Sequence, residues 1–228
     1  MLDKPFNWTS FDVVNKLRYS VKQLTGKKKN KVGHAGTLDP LATGLVIICI
    51  GPHTKTIESL MGLDKEYTGT IKLGGTTPSY DLETEINQTF PVPALDLALI
   101  EKVRESFIGE QNQIPPIFSA KKIDGQKAYD LARKGRAVEM KPSRISITSL
   151  DLDTISYPEI DFKLVCSKGT YVRSLAHDFG SKLNSGAHLT RLRRTRIGEY
   201  SVADAFNIDE AIKHIEGEYI KYLELNSD

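Results

Sequence analysis

The apolar positions of this chain follow two rhythms. After Thr9-Ser10, a pair suited to capping a helix, Val14, Leu17, Val21 and Leu24 recur every three or four residues, which predicts a helix over about residues 10–24. The same spacing through Ile100, Val103 and Phe107, and through Val172, Leu175, Phe179 and Leu183, predicts helices at about 96–107 and 170–183. A shorter one is expected around Ile208, Ala211, Ile212 and Ile215. Strict alternation through Ile160, Phe162, Leu164 and Cys166 predicts a strand. Residues 65–73 and 145–152 read as further strands, and the unbroken apolar run Leu45–Ile50 as a buried one. Residues 32–44 carry Gly33, Gly36, Pro40 and Gly44 and read as a loop. Helices and strands alternate without a βαβ rhythm, so the expected class is α+β: a mixed, largely antiparallel sheet with flanking helices.

Composition narrows the function classes. The chain has 228 residues, enough for one or two domains with a core that needs no staples. Its longest apolar run, Leu45–Ile50, is far short of the ~20 residues that cross a bilayer, so no membrane partner is expected. Residues 1–8 lack the basic-then-apolar pattern of a signal peptide. Cys49 and Cys166 fit no C-x-x-C spacing and sit in apolar runs, so buried, unreactive thiols in a reducing cytoplasm are expected. No metal cluster or nucleotide motif is present.

The net charge of +2 conceals an asymmetry. From Glu199 onward there are eight acids and two bases, which leaves twenty-nine bases against twenty-one acids in the rest. The bases cluster: five lysines between Lys22 and Lys31, six bases between Lys121 and Arg136, and four arginines between Arg191 and Arg196. Each cluster alone could be a solvated face. Three of them, interleaved with Tyr, Phe and His, point to a polyanion such as a nucleic acid.

The segment Gly33-His34-Ala35-Gly36-Thr37-Leu38-Asp39-Pro40-Leu41-Ala42-Thr43-Gly44 carries the candidate chemistry. It lacks the Gly-Lys-Ser/Thr ending of a phosphate loop and the G-x-G-x-x-G spacing of a dinucleotide site. What it offers is a carboxylate, Asp39, set by a proline ahead of a buried strand. Local chemistry leaves two readings open: a turn residue bonding its own backbone, or a positioned nucleophile or base.

This segment closely resembles the signature loop of the TruB family of tRNA pseudouridine synthases. The likeness continues in family order. It includes Asp3-Lys4-Pro5 with Thr9-Ser10, Lys65-Glu66-Tyr67 with Thr77-Pro78-Ser79-Tyr80-Asp81, and Gln113-Ile114-Pro115-Pro116 through Ser119-Ala120-Lys121-Lys122 and Ala128-Tyr129. Cys166 through Leu175, with Tyr171-Val172-Arg173, and Gly186-Ala187-His188-Leu189 through Leu192-Arg193-Arg194 complete it. The resemblance implies a pseudouridine synthase catalytic fold over residues 1–205, with an RNA-gripping insertion at about 110–142. It implies isomerisation of the T-loop uridine at tRNA position 55, with the base flipped out and no cofactor. Asp39 becomes the catalytic carboxylate, Arg173 its bidentate partner, and Tyr67 the ring stacked on the uracil. Tyr171 and Leu192 would line the pocket, and His34 would fill the place the flipped base leaves. Asp81 would hold RNA or active-site groups. Lys121 and Lys122, within the basic segment that runs to Arg136, would grip the RNA stem.

Two departures stand out. Asn7 occupies a place where many relatives have Gly, and Asn tolerates a left-handed backbone. Residues 206–228 are acidic and too few for the PUA-type RNA-binding domain that many relatives carry, so a short tail is expected there. The implied partner is therefore the T-arm stem-loop, engaged by a monomer without an obligatory protein partner. Guide-RNA-dependent relatives and a pure tRNA-folding module are the competing readings, and intact Asp39, Tyr67 and Arg173 argue against the latter. His53, His177 and His214 receive no role. His188 belongs to the closing motif and stays open between RNA contact and fold support.

Overall fold

The computed structural model describes residues 1–119, 121–123, 126–129, 140–152 and 155–225. The first part of the chain forms β1 (Leu2–Lys4), α1 (Ser10–Thr25), β2 (Val32–His34), β3 (Thr43–Val46), β4 (Ile48–Ile50) and α2 (Ile57–Gly62). The middle forms β5 (Lys65–Leu73), β6 (Gly75–Thr76), β7 (Gln88–Thr89), α3 (Leu97–Glu105), β8 (Gly109–Gln113), β9 (Lys122–Ile123) and β10 (Gln126–Lys127). Then come β11 (Ser143–Asp151), β12 (Ile155–Ser156), β13 (Glu159–Cys166), α4 (Val172–Lys182), β14 (Ala187–Ile197), β15 (Tyr200–Ser201) and α5 (Ile208–Leu225). The chain divides into two compact units, one made of residues 1–65 with 193–228, the other of residues 66–192. β14 belongs to the second unit up to Leu192 and to the first from Arg193.

In the first unit, α1 starts at a capping box: the Thr9 hydroxyl accepts from the Asp12 N–H at 3.0 Å while the Asp12 carboxylate accepts from the Thr9 N–H at 2.8 Å. The apolar face of α1 buries Val13 and Leu17 with Leu2 and Ala211, flanked by Trp8, Ile208, Ile212 and Ile215. Each large side chain buried there contributes about 1.5–3 kcal/mol. The segment read as a short helix before an acidic tail is thus one long helix, α5, whose apolar stripe belongs to this core. The run Leu45–Ile50 is not one strand. β3 pairs with β1 (Leu2↔Val46) and runs parallel to β14 (Arg193↔Thr43), whereas β4 pairs with β2 (Val32↔Ile50). The apolar run breaks at Ile47 because its two halves serve different partners, and β2 makes a strand of the start of the expected loop.

In the second unit, β11 pairs antiparallel with β13 (Leu150↔Leu164) and with β8 (Ser143↔Gln113). β13 alternates between half-buried and buried positions as its sequence requires. Its inward residues Phe162 and Leu164 join Ile71, Leu150, Leu175 and Phe179 among the fully or almost fully buried side chains. The Ser143↔Gln113 pairing brings the two ends of the expected insertion side by side. Of that insertion, β9 and β10 form a short hairpin, and Arg133, Lys134 and Arg136 lie outside the described residues. The class is α+β: β3 and β14 run parallel and the other strand pairs named here are antiparallel. Cys49 and Cys166 are both buried, as their apolar runs imply.

Candidate active site

Asp39 sits half-buried on the loop between β2 and β3, and buried side chains hold this loop by its backbone. Ala42 N–H donates to the Asp39 carbonyl at 3.1 Å, closing a turn in which Pro40 fixes one backbone angle. The Ser10 hydroxyl, at the first residue of α1, donates to the Leu38 carbonyl and accepts from the Leu38 N–H at 2.8 Å. Lys4 is wholly buried, and its ammonium donates to the carbonyls of Pro5 (2.9 Å), Trp8 (2.6 Å) and Pro40 (3.3 Å). Three carbonyls match the three N–H groups of an ammonium, which is what permits a lysine to be buried here. Burial pulls the Lys4 pKa down to about 8, with the Asp39 carboxylate the largest opposing influence. Asn7 closes the approach from the N-terminal side, its N–H donating to the Pro40 carbonyl at φ +62°, the left-handed conformation an Asn tolerates.

Arg194 is the third buried clamp, with 1% of its surface exposed. Its guanidinium donates to the carbonyls of Leu45 (2.7 Å), Thr37 (3.3 Å) and Gly36 (3.1 Å). Gly44 must be glycine: its φ is +109°, and a Cβ there would collide with the backbone of Arg194 on the neighbouring strand. The arginine cluster 191–196 is therefore less of an RNA footprint than its charge implies. Arg193 grips both carboxylate oxygens of Asp3, and Arg191 bonds Thr70 and Asp161. His34 lies on β2 opposite Ile48, half-buried, with Nδ1 enclosed and unpartnered. Burial pushes its imidazole below the ordinary histidine value against a hydrogen bond with the Gly36 backbone, and the Arg194 cation adds a weaker push down, so the neutral form is favoured at pH 7.

The second unit buries a cation of its own. Arg173 is in the first turn of α4 and is 4% exposed. Its Nη1 donates to the Ser79 carbonyl at 3.0 Å, and its Nε lies 3.7 Å from a carboxylate oxygen of the equally buried Asp81. A cation at a helix N-terminus opposes the helix dipole by about 0.3–1 kcal/mol, so Arg173 is not there to stabilise α4. The turn that holds it is itself fixed, the hydroxyls of Thr77 and Ser79 both donating to the Asp81 carbonyl. Tyr171 caps α4 through its backbone: its N–H donates to Gln113 Oε1 at 2.8 Å and its carbonyl accepts from Gln113 Nε2 at 3.0 Å. Arg173, Asp81 and Tyr171 thus meet at one helix start, while Tyr67 is buried on β5 and Leu192 half-buried on β14. Lys121 spends its ammonium on the Lys141 carbonyl and the Ser143 hydroxyl at the base of the insertion. Lys122 lies on β9.

Sequence reasoning passed over Lys4, Ser10, Gln113 and Arg194 as working residues. All four stand in the quoted motifs, but no local signal marks them: Lys4 is followed by the exposed Pro5, and Gln113 lies between the exposed Asn112 and Ile114. No cluster of three or more potential metal ligands occurs among the described residues, and no described helix is long and apolar enough to cross a membrane.

Known proteins resemble this chain along most of its length. Residues 22–172 match the TruB family pseudouridylate synthase (N terminal domain), and residues 173–221 match the tRNA pseudouridylate synthase B C-terminal domain. The chain is 55% identical over 209 residues to a tRNA pseudouridine synthase B of Flavobacterium johnsoniae, covering 91% of each. It is 54% identical over 207 residues to the protein of that name from Phocaeicola vulgatus, covering 91% of this chain and 88% of the other. Among solved structures, a Cbf5-Nop10-Gar1 complex contains a chain that matches with a TM-score of 0.67 and 25% identity, over 100% of this chain and 55% of that one. The chain belongs to the TruB family of pseudouridylate synthases. It is an enzyme, an isomerase of the tRNA pseudouridine synthase B type.

Proposed function

We propose that the protein converts a uridine in the T loop of tRNA to pseudouridine, with Asp39 as the catalytic carboxylate. The reaction breaks the C1′–N1 bond, turns the uracil, and joins C1′ to C5; the C5 proton leaves to solvent and N1 gains one. Asp39 either adds at the sugar carbon or acts on the sugar as a base, and both need an ionised carboxylate. Arg173 orients that carboxylate through its planar fork, and Tyr67 stacks on the uracil and takes part in moving the C5 proton. The target lies inside a folded loop and is flipped out, with neutral His34 filling its place. The basic segment from Lys121 grips the stem by its phosphates.

The observation that carries this reading is the holding of the Asp39 loop. Lys4, Ser10 and Arg194 are all buried to fix the backbone on either side of one half-exposed carboxylate. A structural turn needs no such investment, since hydrogen bonds to buried charges cost desolvation that only exact placement justifies. The test is tritium release from tRNA labelled at C5 of uridine, made with the T-loop target either intact or replaced by cytidine. Release from the intact RNA that vanishes with the cytidine supports the assignment. Release that persists places the target elsewhere.

A further inference from the structure

α4 begins without a cap of its own. Tyr171 stands at the N-cap in an extended conformation (φ −97°, ψ 106°), and its side chain makes no capping hydrogen bond. Ser, Thr, Asp or Asn usually fixes a helix start from that position. Here the fixing comes from a strand. Gln113, the last residue of β8 and 5% exposed, turns both ends of its amide on Tyr171. Oε1 accepts from the Tyr171 N–H at 2.8 Å, and Nε2 donates to the Tyr171 carbonyl at 3.0 Å. An amide is the neutral side chain that offers an acceptor and a donor side by side. The same carbonyl also takes the first bond of the helix, from the Leu175 N–H at 3.1 Å, so the amide sets where the helix starts.

One residue further along the strand, the Ile114 carbonyl accepts from the buried Ser174 hydroxyl at 2.8 Å. Residues 113 and 114 therefore fasten residues 171 and 174, and Arg173 lies between the two fastenings. The clamp is rigid on its own side. Gln113 pairs with Ser143 in the sheet, and the buried Pro115 and Pro116 follow with their fixed φ angles. The far end of the Arg173 side chain is held by the Ser79 carbonyl and Asp81, so the clamp supplies the near end, the backbone from which the guanidinium is aimed. Two neutral hydrogen bonds add only about 1 kcal/mol each to stability. A misplacement of about 1 Å in a reacting constellation can cost a hundredfold in rate. Position is the larger stake.

We propose that Gln113 is a positioning residue for the isomerisation: its amide fixes the first turn of α4 and, through it, Tyr171 and Arg173. The inference rests on the roles proposed above for those two residues. Gln113 acts through them and does not meet the substrate. Its loss should slow the chemical step and leave RNA binding nearly as it was.

The experiment measures single-turnover pseudouridine formation and RNA affinity on a T-arm stem-loop for the wild type, Gln113→Met and Gln113→Glu, at a temperature where the proteins are folded by circular dichroism. If the wild type forms no pseudouridine, the proposed function fails and this role with it. If it does, Gln113→Met, which keeps the length and loses both bonds, should react about thirtyfold more slowly, ~2 kcal/mol, with Kd within about threefold. Gln113→Glu gives the sharper readout. As a carboxylate it accepts from the Tyr171 N–H but cannot donate to the carbonyl; protonated, it does both. Burial beside a carbonyl favours the protonated form, so its rate relative to the wild type at the same pH should rise about tenfold from pH 8 to pH 5. A side chain that only stabilises the fold would move the melting temperature and not this ratio. Should Gln113→Met melt too early to assay, the ratio for Gln113→Glu decides alone. Rates of the folded variants within about threefold of the wild type, losses matched by weaker binding, or a Gln113→Glu ratio equal at both pH values would overturn the role and leave the isomerase reading intact.

Discussion

In the unit that carries Asp39, the buried cations Lys4 and Arg194 are satisfied by backbone carbonyls; in the unit that carries Arg173, the buried cation faces one carbonyl and a carboxylate, Asp81. The difference decides what each device controls. A cation clamped by carbonyls fixes backbone, so it sets where the loop runs and leaves the Asp39 side chain to follow. A cation beside a carboxylate is itself the thing positioned, and the fold places its side chain directly. Damage to the first device should therefore appear mainly as lost stability, and damage to the second mainly as lost rate.

Arg173→Lys should show the largest effect. A lysine keeps the charge but cannot reach the Ser79 carbonyl and Asp81 while also presenting a planar fork. We expect the single-turnover rate to fall about a thousandfold, ~4 kcal/mol of activation free energy, with the melting temperature nearly unchanged. A wild-type rate would remove Arg173 from the chemistry. Lys4→Met is the converse. It leaves the carbonyls of Pro5, Trp8 and Pro40 without their shared donor and should cost about 3 kcal/mol in urea unfolding. A loss below about 1 kcal/mol would mean that the carbonyl clamp is not what holds this loop.

Asp81→Asn sharpens the comparison. The amide can still accept from the Glu83 N–H but no longer faces Arg173 with a charge. A tenfold fall in kcat, ~1.4 kcal/mol, is expected, with little change in stability. Stability falling with kcat unchanged would make Asp81 a fold residue only. The smallest effect concerns Asp178 on α4, whose pKa burial raises to about 6 against the weaker pull of Lys182. A carboxyl with a raised folded-state pKa favours the fold below its ordinary value near 4, and that contribution is lost as pH rises through 6. Asp178→Asn should match the wild type near pH 4 and exceed it by about 1 kcal/mol at pH 7.5, allowing for solvent screening. Stability curves that stay parallel from pH 4 to 7.5 would refute the shift.

Much of this was legible in the chain. The periodic helices fall within two residues of their expected bounds, because an amphipathic stripe is a local signal. The alternation of β13 and the left-handed turn at Asn7 are local as well. What could not be read is pairing over long sequence separation. Leu45–Ile50 looks like one strand because nothing local says that β3 and β4 have different partners. Arg191–Arg196 looks like a phosphate patch because the carbonyls that bury Arg194 lie about 150 residues away. The division into two units is invisible for the same reason, since β14 runs through it without a linker. The motifs named the candidate residues, but the devices that hold Asp39 and Arg173 come from the folded chain.

The central claim is that the Asp39 side chain carries the reaction while the backbone around it carries the loop. Asp39→Asn tests it most directly, by single-turnover isomerisation and equilibrium RNA binding measured on the same preparation. Because Leu38 and Pro40 are held through their backbones, the amide variant should melt with the wild type and bind RNA within about tenfold of it, ~1.4 kcal/mol. It should form no pseudouridine over hours, a fall of at least about ten-thousandfold, ~5.5 kcal/mol. Steady product formation by Asp39→Asn, or a loss of binding large enough to account for the missing product, would contradict the account.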